Sequence, residues 1–267
     1  MMDATTIDKI ERLALAAALA NRLENGLIPA VLHDGKVLSL EHLNAGRARF
    51  RGTFNTTSLE GFIEYVGSNG KLDLSRGFID AKKASATVFL NIGDERAPGH
   101  ADWRATLELE PAAPYAALLA INGRPMSQRE MTDFIEDWSA NIAPDYGDGA
   151  PANLQRAISA IRDIKIKATS ETNSVEKDFG AKRSALEEIE ARSDAGIPPK
   201  LILTTEPYAG FRERNFVLRL SIRTQDKPAL ILRIVGKQSA EEDIAQEFVT
   251  LLSNDLTFPL VVGSFTP

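Results

Sequence analysis

Phe216-Val217-Leu218-Arg219-Leu220-Ser221-Ile222-Arg223 repeats its apolar side chains every second residue. That period puts Phe216, Leu218, Leu220 and Ile222 on one side of a pleated chain. Val217, Arg219, Ser221 and Arg223 fall on the other. Thr224-Gln-Asp-Lys-Pro228 then reads as a turn, and Leu230, Leu232 and Ile234 alternate with Ile231, Arg233 and Val235. Residues 215–235 are therefore predicted to form a β-hairpin. A hairpin with one apolar face needs other elements to cover it.

Helix signals flank the strands. Ser239-Ala-Glu-Glu242 has the spacing of a capping box, and Ile244, Phe248, Leu251 and Leu252 follow at helical spacing, which predicts a terminal helix over 240–253. Thr57-Ser-Leu-Glu60 and Ser127-Gln-Arg-Glu130 have the same capping pattern. The first precedes Leu59, Phe62, Ile63 and Val66, and the second precedes Met131, Phe134, Ile135 and Trp138. Residues 151–162, with Pro151 at the start, and residues 6–25, closed by Asn25-Gly26, complete the predicted helices. Further strands are predicted at Arg47–Phe54, Ala86–Ile92 and Asp102–Glu110.

Strands come in clusters rather than in strict alternation with helices, which favours an α+β fold of antiparallel sheets flanked by helices over parallel winding. The turn-rich stretch 139–150 suggests a linker, and hence an N-terminal lobe over 1–143 and a C-terminal lobe over 144–267. Residues 173–200 are too polar and charge-mixed to assign, although 182–192 favours helix by propensity.

Composition narrows the class. The chain has 267 residues, 43% hydrophobic and 25% charged, with 31 basic against 37 acidic side chains. Disordered, collagen-like and globally basic chains are excluded. There is no cysteine, so disulfides, thiolate catalysis and cysteine-bound metals are excluded as well. The apolar run Leu13–Ala20 is too short to cross a bilayer, and Asp3, Asp8 and Glu11 before it argue against an export signal. A cytoplasmic protein with no membrane contact is expected.

Charge is unevenly spread. Residues 125–150 hold Arg129 against six acids, and residues 239–267 hold five acids and no base. Residues 205–238 hold seven basic side chains against three acids. Acidic helices and basic strands would suit one another where subunits meet, and such contacts guide association more than they strengthen it.

Few residues point to chemistry. GxGxxG, GxxxxGK[ST], GxSxG, HExxH and EF-hand patterns are all missing. No catalytic residue, metal or cofactor is assigned, and the reading leans away from an enzyme. His100-Ala-Asp102 would share one face of a strand, as a metal-ligand or acid–base pair or simply as residues that tie down the Pro98-Gly99 turn. Asp133, Glu136 and Asp137 lie on the solvated side of their helix. Arg47, Arg49 and Arg51 form one candidate stripe, and Arg219, Arg223 and Arg233 form another. Guanidinium forks on a flat sheet suit phosphates or a partner's carboxylates. The alternative is a solvated face that keeps strands from sticking edge to edge.

The order of several short motifs resembles the YfdQ-like family of uncharacterised phage and prophage proteins. They are Leu27-Ile-Pro29, Ser39-Leu-Glu41, Arg47–Phe54, Phe62-Ile-Glu-Tyr65, Gly99-His-Ala-Asp-Trp-Arg-Ala105, Ser127–Trp138, Ile197-Pro-Pro to Leu203, and the 215–235 hairpin. The polar stretch 173–195 departs from that pattern. The resemblance implies a phage or prophage gene product of the cytoplasm, encoded near replication and recombination genes, and it carries over no catalytic residue.

Together these readings lead to a non-enzymatic phage accessory protein that acts through protein–protein contacts as a homo-oligomer. Val217, Ile231 and Val235 on the hairpin's outer face would want a cover. The expected partners are other copies of the chain and a host or phage protein. The alternatives are a nucleic-acid-associated factor of replication or recombination, and a counter-defence protein that binds a host factor.

Overall fold

Two five-stranded, mostly antiparallel sheets and six helices build an α+β fold among the described residues. The computed structural model describes residues 3–23, 30–33, 36–39, 41–43, 45–147, 153–164, 196–223 and 229–267. In chain order the elements are α1 (Ala4–Leu23), β1 (Ala30–His33), β2 (Lys36–Ser39), β3 (Gly52–Thr56), α2 (Leu59–Asn69), β4 (Arg76–Asp80), β5 (Ser85–Phe89), β6 (Trp103–Glu108) and α3 (Ala113–Ile121). They continue with β7 (Pro125–Met126), α4 (Gln128–Asp137), β8 (Ile142–Asp145), α5 (Leu154–Arg162), β9 (Lys200–Thr205), β10 (Arg214–Arg223), β11 (Ala229–Ile234), α6 (Lys237–Asp255) and β12 (Leu260–Val262).

The hairpin stands where its alternation places it. β10 and β11 pair antiparallel, with Leu218 opposite Ile234 and Leu220 opposite Leu232. Phe216, Leu218, Leu220 and Ile222 are all buried. Burying one such side chain is worth about 1.5–3 kcal/mol, and that gain sets the face and hence the register. The other face differs from the expectation at two residues. Ile231 is already buried, Val217 is half-buried, and of the three only Val235 stands exposed.

This sheet runs β7-β11-β10-β9-β8, and the other runs β12-β4-β5-β6-β3. Each takes a strand from far along the chain. β7 joins the sheet of the hairpin, and β12 lies parallel to β4 at the edge of the first sheet. Gly77 permits that second approach, because a Cβ there would sit 2.3 Å from Leu260 Cδ2. The division expected after residue 143 falls inside β8, where Pro144 occupies an edge strand. One buried cluster joins both sheets to the helices. It includes Val88 and Leu107 of the first sheet, Leu203 and Leu220 of the second, and Phe62, Leu118, Ile135, Ile158 and Phe248 from α2 to α6.

Local signals fare unevenly. Ser127 and Glu130 close the predicted capping box of α4 in both directions. Gln128 then donates to the carbonyls of Ile161 and Ile164 at the end of α5, which ties the two helices. Helix α2 is capped by Ser58 rather than Thr57, with the Ser58 hydroxyl accepting from Gly61 N. Helix α6 starts at Lys237, behind Gly236 at φ 65°, so Ser239 lies inside the helix and does not cap it. Helix α5 starts at Leu154 on an Asn153 cap, and Pro151 lies outside the described residues. So do Asn25-Gly26, the 224–228 turn and residues 165–195. No described helix is long and apolar enough to cross a membrane.

Candidate functional site

Arg47, Arg49 and Arg51 do not form a strand stripe. They occupy bends ahead of β3, because Gly52 at φ 146° breaks the extended run. The Ala48 amide donates to Glu41 Oε1 at 2.9 Å instead of joining a ladder. Arg51 pairs with Glu41 through both guanidinium nitrogens. Arg49 donates Nε and Nη2 to Asp102 Oδ2, at 3.1 and 2.6 Å. Two of the three guanidiniums are thus engaged by carboxylates of the same chain. The exposed Arg47 donates to the Arg51 carbonyl at 3.3 Å.

His100 and Asp102 do not share a strand face either. β6 begins one residue later, at Trp103, and Ala101 at φ 51° breaks the alternation between them. His100 is exposed. Asp102 accepts from Arg49 and, at 2.8 Å, from Asn91 Nδ2. The Arg49 guanidinium, followed by the Asn91 amide, holds the Asp102 carboxyl below its ordinary range. Arg51 does the same for Glu41. These carboxylates are anchors for the 45–51 bend. Beside them Phe50, 63% exposed, lies over Trp103 with ring centroids 4.6 Å apart. Trp103 in turn donates to the Tyr65 hydroxyl at 3.1 Å.

The second arginine stripe lies on the open face of the hairpin's sheet. Arg219 stands directly opposite Arg233 on one side and Lys200 on the other, and Lys200 faces Asp145 at the edge. Lys200, Arg219 and Arg233 are exposed, and none forms an ion pair with another described residue. Like charges at directly opposed positions destabilise a sheet, on the order of 0.5 kcal/mol per pair. Arg223 ends β10, and its side chain lies outside the described residues. A row of Val235, Val217, Ile202 and Ala143 runs alongside the cations, since Val217 faces Ile202, Ile202 faces Ala143, and the Val235 amide donates to the Val217 carbonyl. The surface is thus a cationic row bordered by an aliphatic one, with no aromatic ring in either.

Sequence reading missed a third cluster. Arg214 and Glu247 form an ion pair at 2.6 Å with side chains only 12% and 14% exposed. Glu247 also accepts from the Arg212 amide at 2.8 Å. The pair locks α6 to the start of β10. Tyr115 stacks on Phe216 and meets Tyr208 edge-on. Burial, reinforced by Tyr208 and Glu241, pushes the Tyr115 phenol up to about 12. Burial raises Tyr208 too, with Glu241 adding to it. A signal for Arg214 existed: period two, counted back from Phe216, puts it on the inward side.

The remaining chemistry is sparse. A shallow hollow on the outer side of the first sheet is lined by Asn55, Thr56, Thr57, Thr106 and Glu108, and Glu108 is its one titratable side chain. Among the described residues, no three of His, Asp and Glu gather closely enough to hold a metal. Asp133, Glu136 and Asp137 are exposed on α4 as expected, with Glu136 paired to Arg162 at 2.6 Å.

No curated protein and no solved structure matches the chain. The family model described as "Uncharacterized conserved protein (DUF2303)" matches residues 3–265, and the chain belongs to that family.

Proposed function

We propose that the protein is a non-enzymatic adaptor that docks an acidic segment of a host or phage protein on the open face of the β7–β8 sheet. The observation that carries this reading is the row Lys200–Arg219–Arg233, three cations in register across adjacent strands. The fold bears their mutual repulsion, and an anionic ligand would relieve it. The Val235–Val217–Ile202 row supplies aliphatic contact beside the charges. Guanidinium forks donate paired hydrogen bonds to carboxylates, and the aliphatic row suits peptide side chains better than bases, which stack on aromatic rings. The phage or prophage setting is part of the same proposal and is supported by the motif order described above.

A nucleic-acid-associated role is the second reading. It is favoured by Phe50, exposed over Trp103 beside Arg47. One experiment separates the two. The full chain is titrated with a fluorescent oligoglutamate peptide and, separately, with a single-stranded DNA oligonucleotide at low and moderate salt. The adaptor reading expects peptide binding that weakens with salt and is lost in the Arg219→Glu/Arg233→Glu variant. DNA binding that survives this double reversal but falls in Phe50→Ala would overturn it in favour of the second reading. Binding of neither probe would overturn both.

A further inference from the structure

Among the described residues the two five-stranded sheets present four edge strands, β7, β8, β3 and β12. β7 and β8 carry Pro125 and Pro144, and β3 is polar at Thr53, Asn55 and Thr56. A proline or a charge in an edge strand discourages further pairing, and a hydrophobic edge invites it. β12 alone of the four is aliphatic throughout. It reads Leu260-Val261-Val262, and no charged side chain occurs from residue 256 to residue 267. Val261 is 51% exposed and Val262 63% exposed. The chain that follows does not cover this edge. Gly263, at φ 146°, lets it turn back over the first sheet, where Phe265 stacks on Phe78 with ring centroids 4.8 Å apart.

We infer that β12 pairs antiparallel with β12 of a second copy of the chain, about a two-fold axis at Val261. The ladder fixes which backbone groups are available. The Pro259 carbonyl accepts from the Gly77 amide at 3.0 Å, and the Gly263 amide donates to the Ile79 carbonyl at 2.8 Å. Backbone groups alternate sides along a strand, so positions 259, 261 and 263 turn towards β4. The amides and carbonyls of Leu260 and Val262 therefore point outward. An antiparallel register centred on Val261 sets Leu260 opposite the partner's Val262 and Val262 opposite the partner's Leu260. Every outward amide and carbonyl of β12 then has a partner. Side chains match in the same register. A Cβ at Gly77 would meet Leu260, so Leu260 and, by alternation, Val262 lie on the core side of the sheet, while Val261 lies on the side of Phe78. The exposed Val262 is covered by the partner's Leu260, and the two copies of Val261 meet across the axis. The strand is thus complementary to itself, which is what a closed two-fold dimer requires of a single patch. It also opposes no like charges, since residues 256–267 carry none. Two short strands make a small interface, so the dimer forms at micromolar concentrations rather than as an obligate unit. This inference is independent of the sheet-face adaptor reading and uses none of its residues.

The lack of native cysteine makes the register directly testable. Single substitutions Val261→Cys and Val262→Cys are placed in the full chain, which is oxidised mildly and run on a non-reducing gel. Across the axis the two copies of position 261 form a non-hydrogen-bonded pair with Cα atoms about 4.5 Å apart, within disulfide reach. The two copies of position 262 are offset along the strands and lie about 8 Å apart, beyond that reach. Val261→Cys is expected to become a covalent dimer and Val262→Cys to remain monomeric on the gel. Sedimentation equilibrium should show the wild-type dimer lost in both Val262→Lys and Val262→Pro, with the melting temperature of the dilute chain unchanged. Lysine puts a charge on the exposed edge, and proline removes an outward amide that the chain itself does not use. Equal cross-linking of the two cysteine variants would overturn the register. A dimer that survives both Val262→Lys and Val262→Pro would overturn the β12 interface. So would a wild-type chain that stays monomeric to about 100 μM, which would leave this edge to a strand of another protein.

Discussion

Arg219 and Arg233 face each other directly across the β10–β11 ladder, both exposed and neither paired with a carboxylate among the described residues. Replacing one of them with glutamate turns a repulsive cross-strand pair into an attractive one. Arg219→Glu is expected to leave the fold intact and to raise stability by about 0.5 kcal/mol in urea titration. The same change weakens binding of an acidic peptide. A variant that gains stability while losing binding marks the residue as retained for its ligand.

Arg214 and Glu247 behave in the opposite way. Their contact is nearly buried, so removing Glu247 strands the Arg214 guanidinium, and removing Arg214 leaves Glu247 only the more distant Arg212 guanidinium at 3.6 Å. Glu247→Gln and Arg214→Met are each expected to cost about 3 kcal/mol. Replacing both together, Arg214→Met with Glu247→Leu, should cost much less than the two single changes combined. A double-mutant cycle by chemical denaturation checks this, and additive losses would contradict it.

Asp102 should shape the acid limb of the stability curve. Its carboxyl is held below its ordinary 3.8 by Arg49 and Asn91. The contribution is therefore complete above that ordinary value and is lost as pH falls through the lower, folded one. Asp102→Asn should flatten this limb and cost about 1 kcal/mol at neutral pH, given the partial exposure of the pair. Melting temperatures of both proteins between pH 2.5 and 7 test the prediction.

Tyr115 governs the alkaline side. Its pKa is raised to about 12, so its contribution is complete below the ordinary phenol value of 10.0 and is lost as pH rises through the folded value. Absorbance at 295 nm should show the Tyr115 and Tyr208 phenols ionising above the ordinary phenol value. Tyr115→Phe should remove the latest step and keep the fold, because its ring still stacks on Phe216.

Much of the architecture is local and so is readable along the chain. Period two from Phe216 to Ile222 names the strand and its buried face, because only one face of a pleated chain can leave water. Ser127 and Glu130 name the start of α4, because a helix leaves its first amides without partners. The same local logic misplaced Arg47–Arg51 and His100–Asp102. There a single residue at positive φ, Gly52 in one case and Ala101 in the other, stops the alternation.

Sequence by itself determined the fold class, the hairpin with its apolar face, and the cations on the opposite face. Tertiary structure alone decided which arginines are free. Arg49 meets Asp102 across 53 residues, and Arg51 meets Glu41 around a bend. Arg219, by contrast, is set against Lys200 by the β9–β10 pairing and against Arg233 by the hairpin register. An arginine's freedom depends on where a carboxylate elsewhere in the chain comes to rest. Long-range strand pairing fixes that place, and the return of β12 to the first sheet leaves no local trace, because its gain is the shared core and not any short-range contact.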